Sequence, residues 1–528
     1  MSIWSMLMIM AGTLACLLSG RNLFHYFQLE SYQFPGYFRT LKRNLLKALF
    51  PGALLTAVMI LAMTAGAVII PPENGWLPQI ACGILMIGTG WIIRRKGLKI
   101  KAKKPMAMTA RMKRLYGAAA VAFTGIQMLF VILDLKIPYL IFPLMLPLWV
   151  ALAGLTAWPI EKGISEMYFR DAQRILRERK DLIRIGITGS WGKTSVKFIL
   201  GTMLEEKYHT LITPASYNTP MGVTKVIRSR LEPGHRIFVS EMGARHVGDI
   251  REMCRLVHPQ MGLLTSVGPQ HLDTFHTLER VIRTKYELMD AIPEDGTCFF
   301  ADDGDICRDL WKRTEKEKWI TGLDSGTDDV WAEEIHVSGE GSRFLLCTQE
   351  RRIQCHTRLL GELNIRNILL CAAVCMELGM TDEQIARGIG KIVPVEHRLQ
   401  LIPNPGGMTV IDDAFNSNIR GAEQAFRVMK EMQGARFLIT PGMVELGKQE
   451  EEMNREFGAL AADCCDVAIL VGKKRSEAIM HGLKDKGFPE ENIHVTTSLD
   501  EATELLGRLV RPGDTALFEN DLPDNYTE

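Results

Sequence analysis

The sequence predicts three parts: an N-terminal α-helical transmembrane domain of about five spans (1–160), a central α/β domain around a phosphate-binding loop (182–395), and a smaller Rossmann-like α/β domain (396–528). Three observations predict this. Long apolar segments crowd the first third of the chain. A β-branched run, Ile183-Arg184-Ile185-Gly186-Ile187, feeds the turn Thr188-Gly189-Ser190-Trp191-Gly192, then Lys193-Thr194-Ser195 and a helical pattern from Val196 to Tyr208. Short apolar strands then alternate with helical patterns in both remaining parts, which gives parallel sheets with a ligand crevice at the strand carboxyl ends.

The apolar segments fall at about 2–20, 49–71, 77–93, 115–133 and 137–158, near the ~18–20 residues that span a bilayer, with the third marginally short. Basic residues divide unevenly between the loops. Arg21, Arg39, Lys42, Arg43 and Lys47 lie between the first two segments, and ten Lys or Arg between 94 and 114. The turn Pro71-Pro72-Glu73-Asn74-Gly75-Trp76 has none and Asp134–Lys136 has one. The positive-inside rule then fixes one topology, with the N-terminus outside and the catalytic domains in the cytoplasm of a bacterial-type, multi-pass membrane protein. Segment 2–20 lacks the leading Lys or Arg of a signal peptide. The apolar stretches hold no ionisable residue that would carry ions or protons, so the domain reads as an anchor rather than a pump. Residues 161–181, charged but with Tyr168, Phe169, Ile175 and Leu176 at helical spacing, predict a connecting helix.

The phosphate loop is off the strict pattern, with Ile187 where the first glycine would stand and glycines at 186, 189 and 192. Its chemistry is nonetheless complete. Gly189, Ser190 and Gly192 let backbone N–H groups face an anion, Lys193 reaches the β- and γ-phosphates, and the Thr194 hydroxyl serves Mg²⁺. A net charge of +1 over 528 residues gives no reason to expect a nucleic-acid partner. Eleven cysteines include no C-x₂-C pair; Cys371 and Cys375, one helical turn apart, are expected as reduced core thiols.

Downstream, the strand Ile237–Ser240 ends in Glu241, where a nucleotide-bound Mg²⁺ finds a carboxylate. The strand Gly262–Thr265 leads to His271, and Lys285 follows fourteen residues later in a helical pattern. Strands at Phe437–Thr440, Val467–Gly472 and Thr515–Phe518 mark the last domain.

These residues resemble the Mur ligases, ATP-dependent amide-bond ligases of peptidoglycan precursor synthesis, to which folylpolyglutamate and cyanophycin synthetases are related. The resemblance covers about 175–528. It is carried by Thr188–Ser195, Ser216-Tyr217-Asn218-Thr219-Pro220-Met221-Gly222, Glu241-Met242-Gly243-Ala244, His271-Leu272-Asp273 and Lys285. It continues through Gly361-Glu362-Leu363-Asn364-Ile365-Arg366-Asn367, Glu396-His397-Arg398, Asp412-Asp413-Ala414-Phe415-Asn416-Ser417-Asn418 and Pro441-Gly442-Met443-Val444-Glu445-Leu446-Gly447. The last two look most like the MurF-type branch, which adds D-alanyl-D-alanine to a UDP-N-acetylmuramoyl tripeptide.

The resemblance implies specific roles. ATP would lie on Gly189, Ser190, Gly192, Lys193, Thr194 and Ser195, with Asn367 at adenine and Arg398 and Asp413 bridging γ-phosphate and ribose. Thr194 and Glu241 would hold one Mg²⁺. His271 and Lys285, the latter carbamylated, would serve a second. Lys193, His271, Lys285 and Arg398 would be catalytic, and Asn218 and Thr219 would meet substrate. An acyl phosphate would form on the carboxylate acceptor and be displaced by an amino acid or dipeptide amine.

Three departures qualify this. Five apolar segments replace the soluble domain that takes the uridine nucleotide, which admits a lipid-linked acceptor. Phe300 and Leu363 replace the usual Asn and His, and Glu519-Asn520-Asp521 replaces a Lys-Gly-Ser run. The expected function is therefore a membrane-anchored, ATP-dependent carboxylate–amine ligase of cell-envelope synthesis. The alternatives are a poly-γ-glutamate-type synthetase of the same superfamily, an inactive membrane scaffold, or an ATPase-driven transporter, the last disfavoured by the uncharged spans.

Overall fold

The computed structural model describes residues 2–69, 76–99, 105–214, 217–338, 341–395, 397–403, 407–414, 419–444, 446 and 449–520. Ser216, Glu396, Phe415–Asn418, Glu445, Gly447 and Asp521, named above as motif residues, lie outside the described residues, as do Pro71–Gly75 and Lys101, Lys103 and Lys104 of the basic loop. The chain divides into two compact units, one ending at Glu166 and the other beginning at Met167.

The first unit is helical. Ser2 caps the helix Ile3–Ser19 by accepting from the Ser5 amide at 3.1 Å. At Gly20 the chain bends by 50° into Arg21–Leu29, so Arg21 begins a helix rather than a loop. Helices Leu45–Ile69, Leu77–Lys99 and Ala110–Ile132 follow. The fifth segment is a short helix, Lys136–Ile141, then Leu146–Glu178. The predicted connecting helix is thus the continuation of the last apolar helix. Among the described residues four helices are long and apolar enough to cross a membrane, or five if the bent pair counts as one span.

Polar contacts fix the helices to one another. Buried Gln127 donates to Thr13 Oγ1 at 3.0 Å, and Thr13 and Thr124 hydroxyls meet at 3.2 Å. The basic segments share one end of the unit. Arg111 lies over the Tyr32 ring at 4.0 Å, and the Gln28 amide exchanges hydrogen bonds with the Ala107 backbone at 2.8 and 3.1 Å. Trp4 stacks on Trp76, 5.0 Å between centroids, so Trp76 sits beside the N-terminal helix.

In the second unit, nine strands among the described residues form one sheet: β1 (Ile183–Thr188), β2 (Thr210–Ile212), β3 (Ile237–Glu241), β4 (Met261–Leu264), β5 (Thr297–Ala301), β6 (Glu317–Gly322), β7 (Val330–Ser338), β8 (Gly341–Cys347) and β9 (Arg352–Thr357). Their order is β2-β3-β1-β4-β5-β6-β7-β8-β9. Pairing is parallel through β7, as the strand–helix alternation predicts, then antiparallel through β8 and β9. The central strands β3 and β5 are buried on both sides because helices cover both faces, whereas the edge strand β9 alternates exposed and buried residues. Lys193–Leu204, Glu362–Glu377 and Asp382–Gly390 pack one face. Pro220–Arg230, Asp249–Val257, Leu278–Ala291 and Asp305–Arg313 pack the other. Cys371 and Cys375 are buried in the first of these cores.

The last domain carries β10 (Gln400–Pro403), β11 (Thr409–Asp413), β12 (Arg436–Thr440), β13 (Val467–Val471), β14 (Ile493–Thr496) and β15 (Thr515–Glu519), ordered β10-β11-β15-β12-β13-β14. All pairs are parallel except β10 with β11. This is a Rossmann-like doubly wound sheet.

Candidate active site

The phosphate loop leaves the end of β1 and enters the helix Lys193–Leu204 through Gly192, whose φ of +80° an L side chain adopts only with strain. A Cβ on Gly189 would overlap the Thr265 hydroxyl, so glycine there also answers to close packing. The loop is pinned from the segment that follows β4. Ser190 N donates to Ser266 O at 2.9 Å, Trp191 N to Ser266 Oγ at 2.8 Å, and Ser190 Oγ to Gly268 O at 2.9 Å. Ser190 therefore serves the loop's own geometry through its side chain. Ser195 lies in the first helical turn.

Two cations and two polar groups converge on one carboxylate. The register pairs Ile187 with Glu241, which places the end of β3 beside the loop. Glu241 is 1% exposed. It accepts from Thr194 Oγ1 at 3.2 and 3.1 Å, from Lys197 Nζ at 2.9 Å, and from Asn218 Nδ2 at 3.0 Å. Burial alone would raise the Glu241 carboxyl; Lys197 and Lys193, with the hydrogen bonds from Lys197 and Asn218, hold it below the ordinary carboxylate value. Lys193 Nζ donates to Gly189 O at 2.7 Å and Ser190 O at 3.0 Å. Its pKa is lowered to about 8, chiefly by burial, with Glu241 opposing and Arg398 adding to the fall.

Lys285, on the helix Leu278–Ala291, is 1% exposed. Burial pushes its amine well below the ordinary lysine value; Lys193 pushes the same way, and Asp249 and Glu241 oppose. His271 follows β4 with a φ of +52° at the start of the short helix Leu272–Phe275. Among the described residues no three His, Cys, Asp or Glu side chains converge into a metal-binding group. The pair that does meet, Thr194 hydroxyl and Glu241 carboxylate, is an all-oxygen donor set. It suits Mg²⁺, which takes few protein ligands and completes its shell with phosphate oxygens and water.

Asn367 is buried on the helix Glu362–Glu377, its Oδ1 3.2 Å from where a Cβ on Gly192 would stand. It thus lies against the phosphate loop. From the last domain, Asp413 at the end of β11 accepts from Leu399 N at 3.0 Å. Its register partner is Glu519, fully buried at the end of β15. Asp413 is raised to about 6, by burial first, with Arg398 and hydrogen bonds from Leu399 and Glu519 opposing. Arg398 lies within electrostatic range of Asp413, Glu241 and Glu519, and burial lowers its pKa. Arg398 is thereby brought within electrostatic range of Lys193 and Glu241, and Asp413 lies beside Arg398.

Asn218 and Thr219, expected at substrate, have structural partners. Asn218 holds Glu241 and accepts from Gly243 N at 2.9 Å, and Thr219 caps the helix Pro220–Arg230 by accepting from Gly222 N at 3.3 Å. A cavity of about 380 Å³ opens beside Asp302, Asp303, Leu363, Arg366, Glu423 and Arg427. Leu363 lines it; Phe300 does not, being a β5 residue buried in the core on one face of the sheet. No motif marks Lys197, and Glu519, named above only within an acidic run, is buried opposite Asp413. The spacing of Lys197, four residues after Lys193 on the same helical face, was the available signal.

The chain matches the Mur ligase middle domain over residues 187–375 and the Mur ligase glutamate ligase domain over 397–519. It is 30% identical over 333 residues to the UDP-N-acetylmuramoyl-tripeptide--D-alanyl-D-alanine ligase of Escherichia coli K12, covering 61% of this chain and 73% of that protein. The enzyme of that name from Mycobacterium bovis is 30% identical over 359 residues, covering 63% and 69%. Among solved structures, MurF from Acinetobacter baumannii superposes with a TM-score of 0.62 at 23% identity, over 69% of this chain and 78% of that one. The MurF ligase of Thermotoga maritima in complex with ADP gives 0.60 at 22%, over 68% and 80%. These two likenesses are of fold.

Proposed function

The chain belongs to the Mur ligase family of ATP-dependent amide-bond ligases, and on that premise we propose that it is a membrane-anchored ligase joining a carboxylate acceptor to an amine in cell-envelope precursor synthesis. One observation carries the catalytic reading: Lys193, Thr194 and Glu241 gather at the phosphate loop, with Arg398 in electrostatic range of them and Asp413 beside Arg398.

ATP binds with its phosphates on the loop N–H groups and the helix N-terminus. Lys193 leaves the carbonyls of its own loop for the γ-phosphate, and Arg398 adds a second positive charge there. Thr194 and Glu241 would hold Mg²⁺, which supplies charge neutralisation at the transferring phosphoryl group. The acceptor carboxylate attacks the γ-phosphorus, ADP leaves, and an acyl phosphate results. The amine attacks its carbonyl carbon, phosphate leaves, and the ammonium proton passes to solvent or a nearby base. Fixed charges at the transferred group supply the rate enhancement. A second metal on His271 and carbamylated Lys285 fits the burial of Lys285, since a neutral amine is the form that adds CO₂.

Four or five apolar helices, with both basic segments at one end of the unit and Trp76 at the other, support a membrane anchor whose basic end faces the cytoplasm. The relatives' names assign UDP-N-acetylmuramoyl tripeptide and D-alanyl-D-alanine to those proteins. Here the acceptor is the corresponding peptide-bearing carboxylate, presented as a lipid-linked form at the bilayer. Purified full chain in vesicles, given ATP, D-alanyl-D-alanine and either the UDP-linked or the lipid-linked acceptor, tests both parts by product mass. Product from the UDP-linked form alone removes the lipid-linked acceptor; phosphate release that needs neither substrate removes the ligase. Labelling of Lys96→Cys and Trp76→Cys from opposite sides of sealed vesicles tests the topology.

A further inference from the structure

Lys197 has no part in the chemistry above, yet it is 0% exposed and paired with a carboxylate that is 1% exposed. It stands one helical turn after Lys193, with its stem in the core and its ammonium 4.7 Å from the Phe198 ring centroid. The three side chains on Glu241 divide its oxygens. Lys197 takes Oε2 at 2.9 Å, Asn218 takes Oε1 at 3.0 Å, and the Thr194 hydroxyl is nearly equidistant from both. Asn218 and Thr194 are partly exposed, whereas Lys197 is sealed between its helix and β3 and has no solvent into which to turn.

We propose that Lys197 is a positioning residue that clamps Glu241 by Oε2, so that Oε1, which also accepts from Asn218, is turned to face the metal ion delivered with the nucleotide. The inference rests on the reading of Glu241 as a Mg²⁺ ligand. A carboxylate on a flexible Glu side chain rotates freely unless one oxygen is held, and an outer partner that holds it sets the orientation of the ligand. A cationic clamp suits the site because both groups are buried, where a charge without a counter-charge is costly. Simple electrostatics argues the opposite consequence: a lysine beside a metal ligand repels the dication, so its removal would tighten metal binding. The two accounts differ in sign, which makes the role testable.

The test is binding of a fluorescent ADP analogue to the full chain in detergent across a MgCl₂ titration, read alongside thermal unfolding. Lys197→Met is expected to raise the Mg²⁺ midpoint by about tenfold or more, to leave metal-free nucleotide binding unchanged, and to be partly rescued in Lys197→Arg. A midpoint that is unchanged or lower in Lys197→Met overturns the inference. If Lys197→Met unfolds, the Lys197→Arg midpoint decides alone, since Arg keeps the charge but alters the clamp's geometry: an elevated midpoint supports positioning and an unaltered one overturns it. In a Glu241→Gln background Lys197→Met should add no further change, and an additive effect overturns the route through Glu241. A wild type that binds the analogue with no Mg²⁺ dependence overturns the metal reading of Glu241 itself, and this inference with it.

Discussion

Lys193 donates to the carbonyls of Gly189 and Ser190, at 2.7 and 3.0 Å, so the lysine closes a ring over its own phosphate loop. Those contacts preorganise the loop but are local, and in the proposed mechanism they are exchanged for phosphate when ATP enters. Lys193→Ala should therefore cost only about 1 kcal/mol of stability while lowering substrate-dependent phosphate release by about 10²–10³-fold. Paired measurement of unfolding temperature and phosphate release checks it. A cell-envelope phenotype that survives Lys193→Ala would point to a scaffold role.

Asn218 donates to Glu241 rather than standing free for substrate. Asn218→Ala is expected to raise the Mg²⁺ requirement and lower kcat by about tenfold, with KM for the carboxylate acceptor within about twofold. Steady-state kinetics at varied Mg²⁺ and varied acceptor separate the two roles.

His235 is buried, stacks on His209 at 4.1 Å, and accepts from Glu232 N at 2.9 Å, which requires an unprotonated Nδ1. Its pKa is pushed below the ordinary histidine value, first by burial and then by His209. For a base lowered on folding, the unfolded chain takes the proton first. The stabilisation is present above about pH 6.5 and is lost as pH falls from there through the folded value. The unfolding temperature should drop more between pH 7.5 and 5.5 in the wild type than in His235→Gln, as scanning calorimetry of both will show.

Glu161 joins two helices of the first unit through Arg114, at 2.9 Å to Nη2, and Arg111, at 3.7 Å. Its own side chain is largely buried while the arginines are partly exposed, so the pair is screened from one side only. Glu161→Ala should destabilise this unit by about 1–2 kcal/mol. Glu161→Gln should recover part of that by keeping an acceptor, measured as thermal unfolding of the full chain in detergent.

Much of this architecture was legible because its signals are local. Strand, glycine turn and helix around Lys193 are contiguous, and the apolar segments declare themselves by length. Other features were not legible, for reasons of distance or direction. The antiparallel strands β8 and β9 extend a sheet that the alternation of strand and helix marked as parallel. The last apolar segment runs on to Glu178 because charged residues 161–178 also have helical spacing, and nothing in them breaks the helix.

By itself the sequence determined the order of the helical and α/β parts and the strand, glycine turn and helix around Lys193, since each depends on residues within a few positions of one another. Only the tertiary structure decided how those groups are shared. The parallel register of β1 with β3 puts Glu241 beside Thr194. Burial beside that carboxylate then fixes Lys197, which motif spacing leaves as one more helical lysine. The pairing of β11 with β15 sets Glu519 against Asp413 from 106 residues away. Charge placed in a low-dielectric interior must find a partner in space, and the chain order does not say which one.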